Sequence, residues 1–246
     1  VIYSQKNQLS EINDSLFPND NLKNYNTSQY PFSRILKSIF NVNNLDDLHN
    51  EVNSLNDFNA DLGKDSESHY HKIFYKEIKK TDSELRNVWE LFLENEVIKH
   101  FSCENSIVVQ KLPNIRIHIP KGLAVKRWHC DSDQDHKHPL GEINSVIPLT
   151  KMFDTNSIWR ESSPGKGDFK PFNLKVGEII YWNGNTCIHG NKTNLSSKTR
   201  ISFDFRVFPR NEYNKYIANP DNIQNSTATM GTKFIVGAYY KEIFKK

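Results

Sequence analysis

His129 and Asp131 stand two residues apart with Cys130 between them, and His189 follows much further along the chain. In an extended segment, residues i and i+2 point to the same side. One short stretch therefore presents an imidazole and a carboxylate together. Two imidazoles and one carboxylate can take one face of an octahedron around a single divalent ion. That donor set suits ferrous iron and leaves the opposite face open. His-x-Asp alone is a common pattern, and the polar run 132–138 that follows it fits a solvated charged loop equally well. His189 strengthens the metal reading, because it is distant enough to come from another strand of a small barrel. Arg200 and Ser202 then follow as an Arg-x-Ser pair. A guanidinium is a flat, permanently charged fork that matches a carboxylate. A serine on the same strand face adds a second donor.

This set resembles the Fe(II)- and 2-oxoglutarate-dependent dioxygenases. The wider run is similar to the subgroup typified by streptomycin-biosynthesis oxygenases. The likeness spans residues 105–210. It rests on Arg116-Ile-His-Ile-Pro120, Gly141-Glu-Ile-Asn144, Pro148-Leu-Thr150 and Thr155-Asn-Ser-Ile-Trp159. It continues through Glu161-Ser162, Pro164-Gly-Lys-Gly-Asp168, His189-Gly-Asn191 and Arg200-Ile-Ser-Phe-Asp-Phe-Arg206. The resemblance implies a double-stranded β-helix, the jelly-roll or cupin-like core. It implies iron held by His129, Asp131 and His189, with 2-oxoglutarate and O2 as co-substrates and succinate and CO2 released. Arg200 and Ser202 would anchor the distal carboxylate of 2-oxoglutarate, and Asn144 would bond it near the metal. Halogenating relatives lack the carboxylate ligand, so Asp131 points to hydroxylation. The implied substrate is a polar small molecule such as a sugar, cyclitol or amino-acid derivative.

The chain of 246 residues fits one domain, with a net charge of +3. Its lysines and arginines are interspersed with acids, which argues against nucleic acid as a partner. No apolar run reaches the length of a membrane span, and the beginning of the sequence has no signal-peptide core. Three cysteines, Cys103, Cys130 and Cys187, form no framework spacing, and a cytoplasmic protein is expected. Oligomeric state is not legible.

Residues 1–104 are expected to be a mostly helical cover, 105–210 the catalytic β core and 211–246 a lid or flap. The first thirty residues read as a polar surface wrap. Helices are predicted over 32–40, over 45–55 from Leu45, Leu48, Val52 and Leu55, and over 70–78. A loop is expected at 56–68. Thr81-Asp-Ser-Glu84 reads as a capping box ahead of a helix with Leu85, Trp89 and Phe92 on one face. Strands are predicted at 106–119, 123–131, 142–149, 157–161, 170–175, 178–183, 186–189 and 199–208, eight short runs that fit a jelly roll. The last is the most legible. Ile201, Phe203, Phe205 and Val207 make an apolar face, and Arg200, Ser202, Asp204 and Arg206 a polar one. The polar face is assigned to the barrel interior, because Arg200 falls where the resembled family puts its co-substrate anchor; the alternative leaves that face in water. Residues 211–232 have no period, and Phe234 to Tyr240 alternate as a further strand.

Arg116 and His118 share a strand face, as do Trp159 and Glu161. Together with Arg206 they are candidates for substrate binding, against exposed-face or packing roles. Asp131, Asp133, Asp135 and Glu142 echo a calcium loop but carry His136 where glycine is required. His136-x-His138 lacks zinc partners nearby. Two further readings stay open on residues alone: a cupin-like barrel that binds metal or sugar without catalysis, and a metal-dependent hydrolase or isomerase.

Overall fold

The structure, a computed structural model, describes residues 21–51, 68–101, 104–125, 127–228 and 231–246. Its first part holds β1 (Asn21–Asn24), α1 (Phe32–Phe40), α2 (His69–Ile78) and α3 (Glu84–Asn95), with a short 3-10 segment at Leu45–Asn50. Then come β2 (Ser106–Gln110), β3 (Asn114–His118), β4 (Ile143–Pro148), β5 (Ile158–Arg160), β6 (Lys170–Pro171), β7 (Glu178–Trp182), β8 (His189–Asn191) and β9 (Arg200–Pro209). α4 (Arg210–Ile217), α5 (Pro220–Asn225) and β10 (Tyr240–Phe244) close the chain.

The fold is mainly antiparallel sheet, with α1, α2 and α3 packed on one side of it. The larger sheet has seven strands in the order β1-β7-β4-β9-β2-β10, and β3 also pairs with β9. β9 is its spine. β4 runs along one edge of it, while β3 takes its first half and β2 its end on the other. β6, β5 and β8 form the smaller sheet.

Alternation along β9 decides where everything else goes. Ile201, Phe203, Phe205 and Val207 are fully buried. The Phe203 ring lies 5.5 Å from that of Phe32 on α1, 5.3 Å from Phe74 on α2 and 6.2 Å from Trp89 on α3. Each helix turns its own apolar stripe inward: Phe32, Ile35, Leu36 and Phe40 on α1, and Leu85, Trp89, Phe92 and Leu93 on α3. These are the i, i+3, i+4 and i+8 positions on α1 and the i, i+4, i+7 and i+8 positions on α3, each set sharing one helix face. α1 ends at Asn41 with φ 55°, where its N–H bonds back to Lys37 and Ser38.

Several expectations are corrected. The run 106–119 is two strands, broken around Lys111-Leu-Pro113. The described residues of 123–131 form no strand, and among them His129 makes an isolated bridge, to His189. Ser83, not Thr81, caps α3 by accepting from the Arg86 N–H, so the Thr81–Glu84 box does not form. α4 and α5 lie in the stretch read as structureless, and the terminal strand is Tyr240–Phe244 instead of Phe234 to Tyr240. Tyr213, Tyr216, Phe234 and Tyr240 pack with Val108 and Phe208, so this segment is anchored to the sheet. Asn21–Asn24, taken for surface wrap, pairs with β7. Val52, Leu55 and the predicted loop up to residue 67 lie outside the described residues, as does Cys103. Among the described residues no helix is long and apolar enough to cross a membrane.

Removing the Phe203 ring opens a cavity beneath three helices. Phe203→Ala should cost about 3–5 kcal/mol, read as a lowered urea midpoint at unchanged slope. A loss under about 1 kcal/mol would show that the helices do not depend on this face.

Candidate metal centre

His129, Asp131 and His189 come together. One donor atom from each lies within 4.8 Å of the others, and this is the metal-type cluster found among the described residues. The His129 and His189 segments are joined by a reciprocal pair of backbone bonds, His129 N to His189 O and His189 N to His129 O. Asp131 N donates to Gly184 O, and Ser132 N to Asn185 O, which docks the ligand-bearing loop on the β7–β8 connection. Same-side presentation of His129 and Asp131 therefore arises in a docked loop and not, as expected, in a strand.

The imidazoles are aimed by their second nitrogens. His129 Nδ1 donates to Arg127 O at 2.9 Å and His189 Nδ1 to Cys187 O at 3.1 Å. Both Nε2 atoms are thereby turned toward Asp131, the arrangement that orients metal-binding histidines. His129 is stacked on His136 at 4.1 Å and 20°, and Trp182 stands edge-on to His189 at 4.8 Å and 87°.

Asp131 is fully buried and its two oxygens have different duties. Oδ2 accepts from Asn144 Nδ2 at 2.7 Å, Arg206 Nη2 at 2.7 Å and Arg206 Nε at 3.1 Å. Oδ1 faces His129 Nε2 at 3.5 Å and His189 Nε2 at 3.6 Å. Charge-assisted bonds are shorter, about 2.7–2.9 Å. Two donors each about 2.1 Å from one divalent ion can stand up to about 4.2 Å apart, so these gaps fit a shared ion. Burial alone would raise the Asp131 carboxyl. The Arg206 charge, the His129 contact and the charges of His138 and His189 hold it well below the usual carboxylate range. Burial pushes His189 down to about 4, the neutral form a ligand needs.

His129 and His189 line a pocket that opens to solvent. Its wall includes Arg116, Asn144, Ile158, Trp182, Arg200, Asp204 and Arg206. Arg200, 1% exposed, donates from Nε to Asn156 O at 3.1 Å and from Nη1 to Ser202 Oγ at 2.8 Å. Arg116 Nε meets Asp204 Oδ1 at 3.2 Å, and Asp204 Oδ2 accepts from Arg206 Nη1 at 2.7 Å. Charges thus alternate along the wall as Arg116, Asp204, Arg206, Asp131.

The other expected site residues divide. Arg206 is committed to two carboxylates, and so positions Asp131 instead of being free for substrate. His118 lies beside Arg200 but is sealed off, its ring 3.0 Å from Gly122 O and 3.2 Å from Asn156 O. Trp159 is half-buried, with its indole N–H on Asp154 O and Lys192 Nζ over its ring. Glu161 is buried and accepts from Ile188 N at 2.7 Å and Gly167 N at 3.1 Å. Alternation explains both: Ile158 faces the pocket, so its neighbour Trp159 faces away. Of the calcium-like acids, Asp133 Oδ1 is occupied by the backbone N–H groups of Asp135 and His136 and by the His136 ring. Sequence reading missed Trp182 and Asp204 as site residues. Asp204 was within reach, because it alternates with Arg200, Ser202 and Arg206. Nothing in the sequence distinguished Trp182 from a core aromatic.

No family model matches the chain. The streptomycin biosynthesis protein StrG of Streptomyces griseus is 26% identical over 219 residues, covering 89% of this chain and 96% of its own length. Solved structures that resemble the fold loosely include the non-heme monooxygenase ThoJ in its apo form, at TM-score 0.49 and 10% identity, covering 82% of this chain and 77% of that one. Another is CytC3 with Fe(II) and alpha-ketoglutarate, at TM-score 0.41 and 15% identity, covering 80% and 76%.

Two outcomes follow from this geometry. Arg206→Lys keeps the charge but not the fork that spans Asp131 and Asp204. Fe(II) affinity in an anaerobic titration should fall by about 10-fold or more, with apo-protein unfolding near wild type. Wild-type affinity would show that the fork does not hold the ligand. His118 is held near 4 by burial and by the Arg200 charge, against an unfolded value near 6.5. The unfolded chain therefore takes up the proton first, and the stability present above about 6.5 is lost as pH falls toward 4. Urea midpoints of His118→Gln should fall less steeply across that window than those of wild type. Equal slopes would show that His118 titrates normally.

Proposed function

We propose that this chain is a non-haem Fe(II)- and 2-oxoglutarate-dependent dioxygenase that hydroxylates a polar small molecule. The observation that carries the reading is the pairing of the His129–Asp131–His189 cluster with the buried Arg200 guanidinium in one pocket wall. The donor set fits ferrous iron, since two imidazoles and one carboxylate are presented, the imidazoles with their second nitrogens already bonded to backbone carbonyls. His129, Asp131 and His189 would hold the ion, which when bound with 2-oxoglutarate and O2 supplies the C–H oxidation. In this reading the two sheets are the halves of a double-stranded β-helix. Residues 1–104 are its outer cover, 105–210 its catalytic core and 211–246 a closing segment.

The chain's own residues bind and orient. Arg200 offers a permanent positive charge to the distal carboxylate of 2-oxoglutarate, with the Ser202 hydroxyl beside it. Asn144 fixes Asp131 through Nδ2, and so acts on the co-substrate through the ligand it holds, since its own oxygen is an acceptor and 2-oxoglutarate has no donor to offer it. Arg116, paired with Asp204, is placed to receive a polar or anionic group of the substrate. Trp159, Glu161 and His118 take no part in binding and shape the wall from behind. The relationship with a streptomycin biosynthesis protein supports a sugar, cyclitol or amino-acid derivative as the substrate class.

Fe(II) and then 2-oxoglutarate, added anaerobically to the apo-protein, should give a new visible charge-transfer band. Arg200→Ala should bind iron as wild type does but need at least about 100-fold more 2-oxoglutarate for that band. Folded, iron-loaded wild-type protein that shows no band would leave a cupin-like binder or a metal-dependent hydrolase or isomerase as the better reading. Turnover without oxygen would single out the last.

A further inference from the structure

Trp182 lines the pocket and is 3% exposed, yet its indole N–H has no hydrogen-bond partner among the described residues. A buried donor left without an acceptor costs stability, and in a folded protein such a group calls for an explanation such as a ligand. The neighbours of Trp182 locate that ligand. Its ring stands edge-on to His189, and it is the cross-strand partner of Asn144, which holds Asp131. The Asn144 amide oxygen likewise lacks a partner. The two residues are pressed together by Gly184, where a Cβ would come within 2.6 Å of the Asn144 amide and 2.7 Å of the Trp182 ring. An unmet donor and an unmet acceptor thus sit side by side, between two of the three residues of the metal-type cluster.

We infer that Trp182 is a ligand-binding residue whose indole N–H donates to a carboxylate or keto oxygen of a 2-oxo acid held at this centre. The inference rests on the oxygenase reading and adds a residue to it. Indole N–H is a donor only, so its acceptor must be an oxygen of this kind and not a second N–H group. A hydrophobic wall would be served as well by phenylalanine; the orphan N–H is what separates the two cases.

The test uses protein loaded with Zn(II) as a diamagnetic stand-in for iron, labelled with 15N-tryptophan. The four indoles are Trp89, Trp128, Trp159 and Trp182. Trp182→Phe assigns the fourth resonance; should that variant not fold, Trp128→Phe and Trp159→Phe assign it by elimination, because Trp89 is already bonded to Lys111 O and sits downfield. Adding 2-oxoglutarate should move the Trp182 N–H downfield and slow its exchange with solvent. In the Fe(II)-loaded Trp182→Phe protein, iron affinity should be unchanged and 2-oxoglutarate affinity weakened by about 10-fold or more. If 2-oxoglutarate binds but the Trp182 resonance stays in place, or the Phe variant binds it equally well, this inference fails while the oxygenase reading stands. If 2-oxoglutarate does not bind the metal-loaded wild type, both fail together.

Discussion

The site depends on how one carboxylate is divided. Three N–H donors converge on Asp131 Oδ2, two from Arg206 and one from Asn144. That leaves Oδ1 as the atom the two imidazoles face. Without the clamp, a buried carboxylate beside two histidines would close the gap with direct hydrogen bonds. Burying such a charge is expensive unless it is paired and bonded. The wall meets that cost by alternating signs from Arg116 through Asp204 and Arg206 to Asp131, so each charged group in the row has an opposite neighbour. The arrangement fixes the ligand before any ion arrives, which is the preorganisation that metal sites need.

β9 is the element that lets one small fold carry both a core and a polar pocket. Over Arg200 to Val207 its period of two puts phenylalanines against three helices and arginines against the pocket. Phe203 is fully buried among aromatic rings, and Ser202 and Asp204 on either side of it serve the Arg200 and Arg206 guanidinium groups. The sheet interior and the pocket wall are thus two sides of the same ten residues.

This explains which parts were legible in the sequence. The extent of α1 and the two faces of β9 were legible from the pattern of apolar residues, while the inward placement of the polar face leaned on the resemblance. The coming together of His129, Asp131 and His189 was inferred from donor types and resemblance, because their contact spans a long loop that no local period encodes. The ligand segment 123–131 misled for the same reason: its alternating texture is that of a strand, but its backbone bonds are a reciprocal pair between His129 and His189 and one from Asp131 to Gly184. Trp159 and Glu161 were assigned to the pocket from their motif setting, and a one-residue choice of face decided otherwise. α4 and α5 carry few apolar residues and are held by tyrosines packed on Phe208, a tertiary contact that the sequence of those residues does not announce.

The two-sidedness of β9 also sets where this chain can change length. A single inserted residue in the strand would exchange its faces, turning Phe203 and Phe205 into the pocket and the guanidinium groups into the helices. The turn region 162–168, largely exposed and joined mostly by its own local bonds, has no such register to keep. Added length in that turn leaves both faces of β9, and the side chains they hold, where they are.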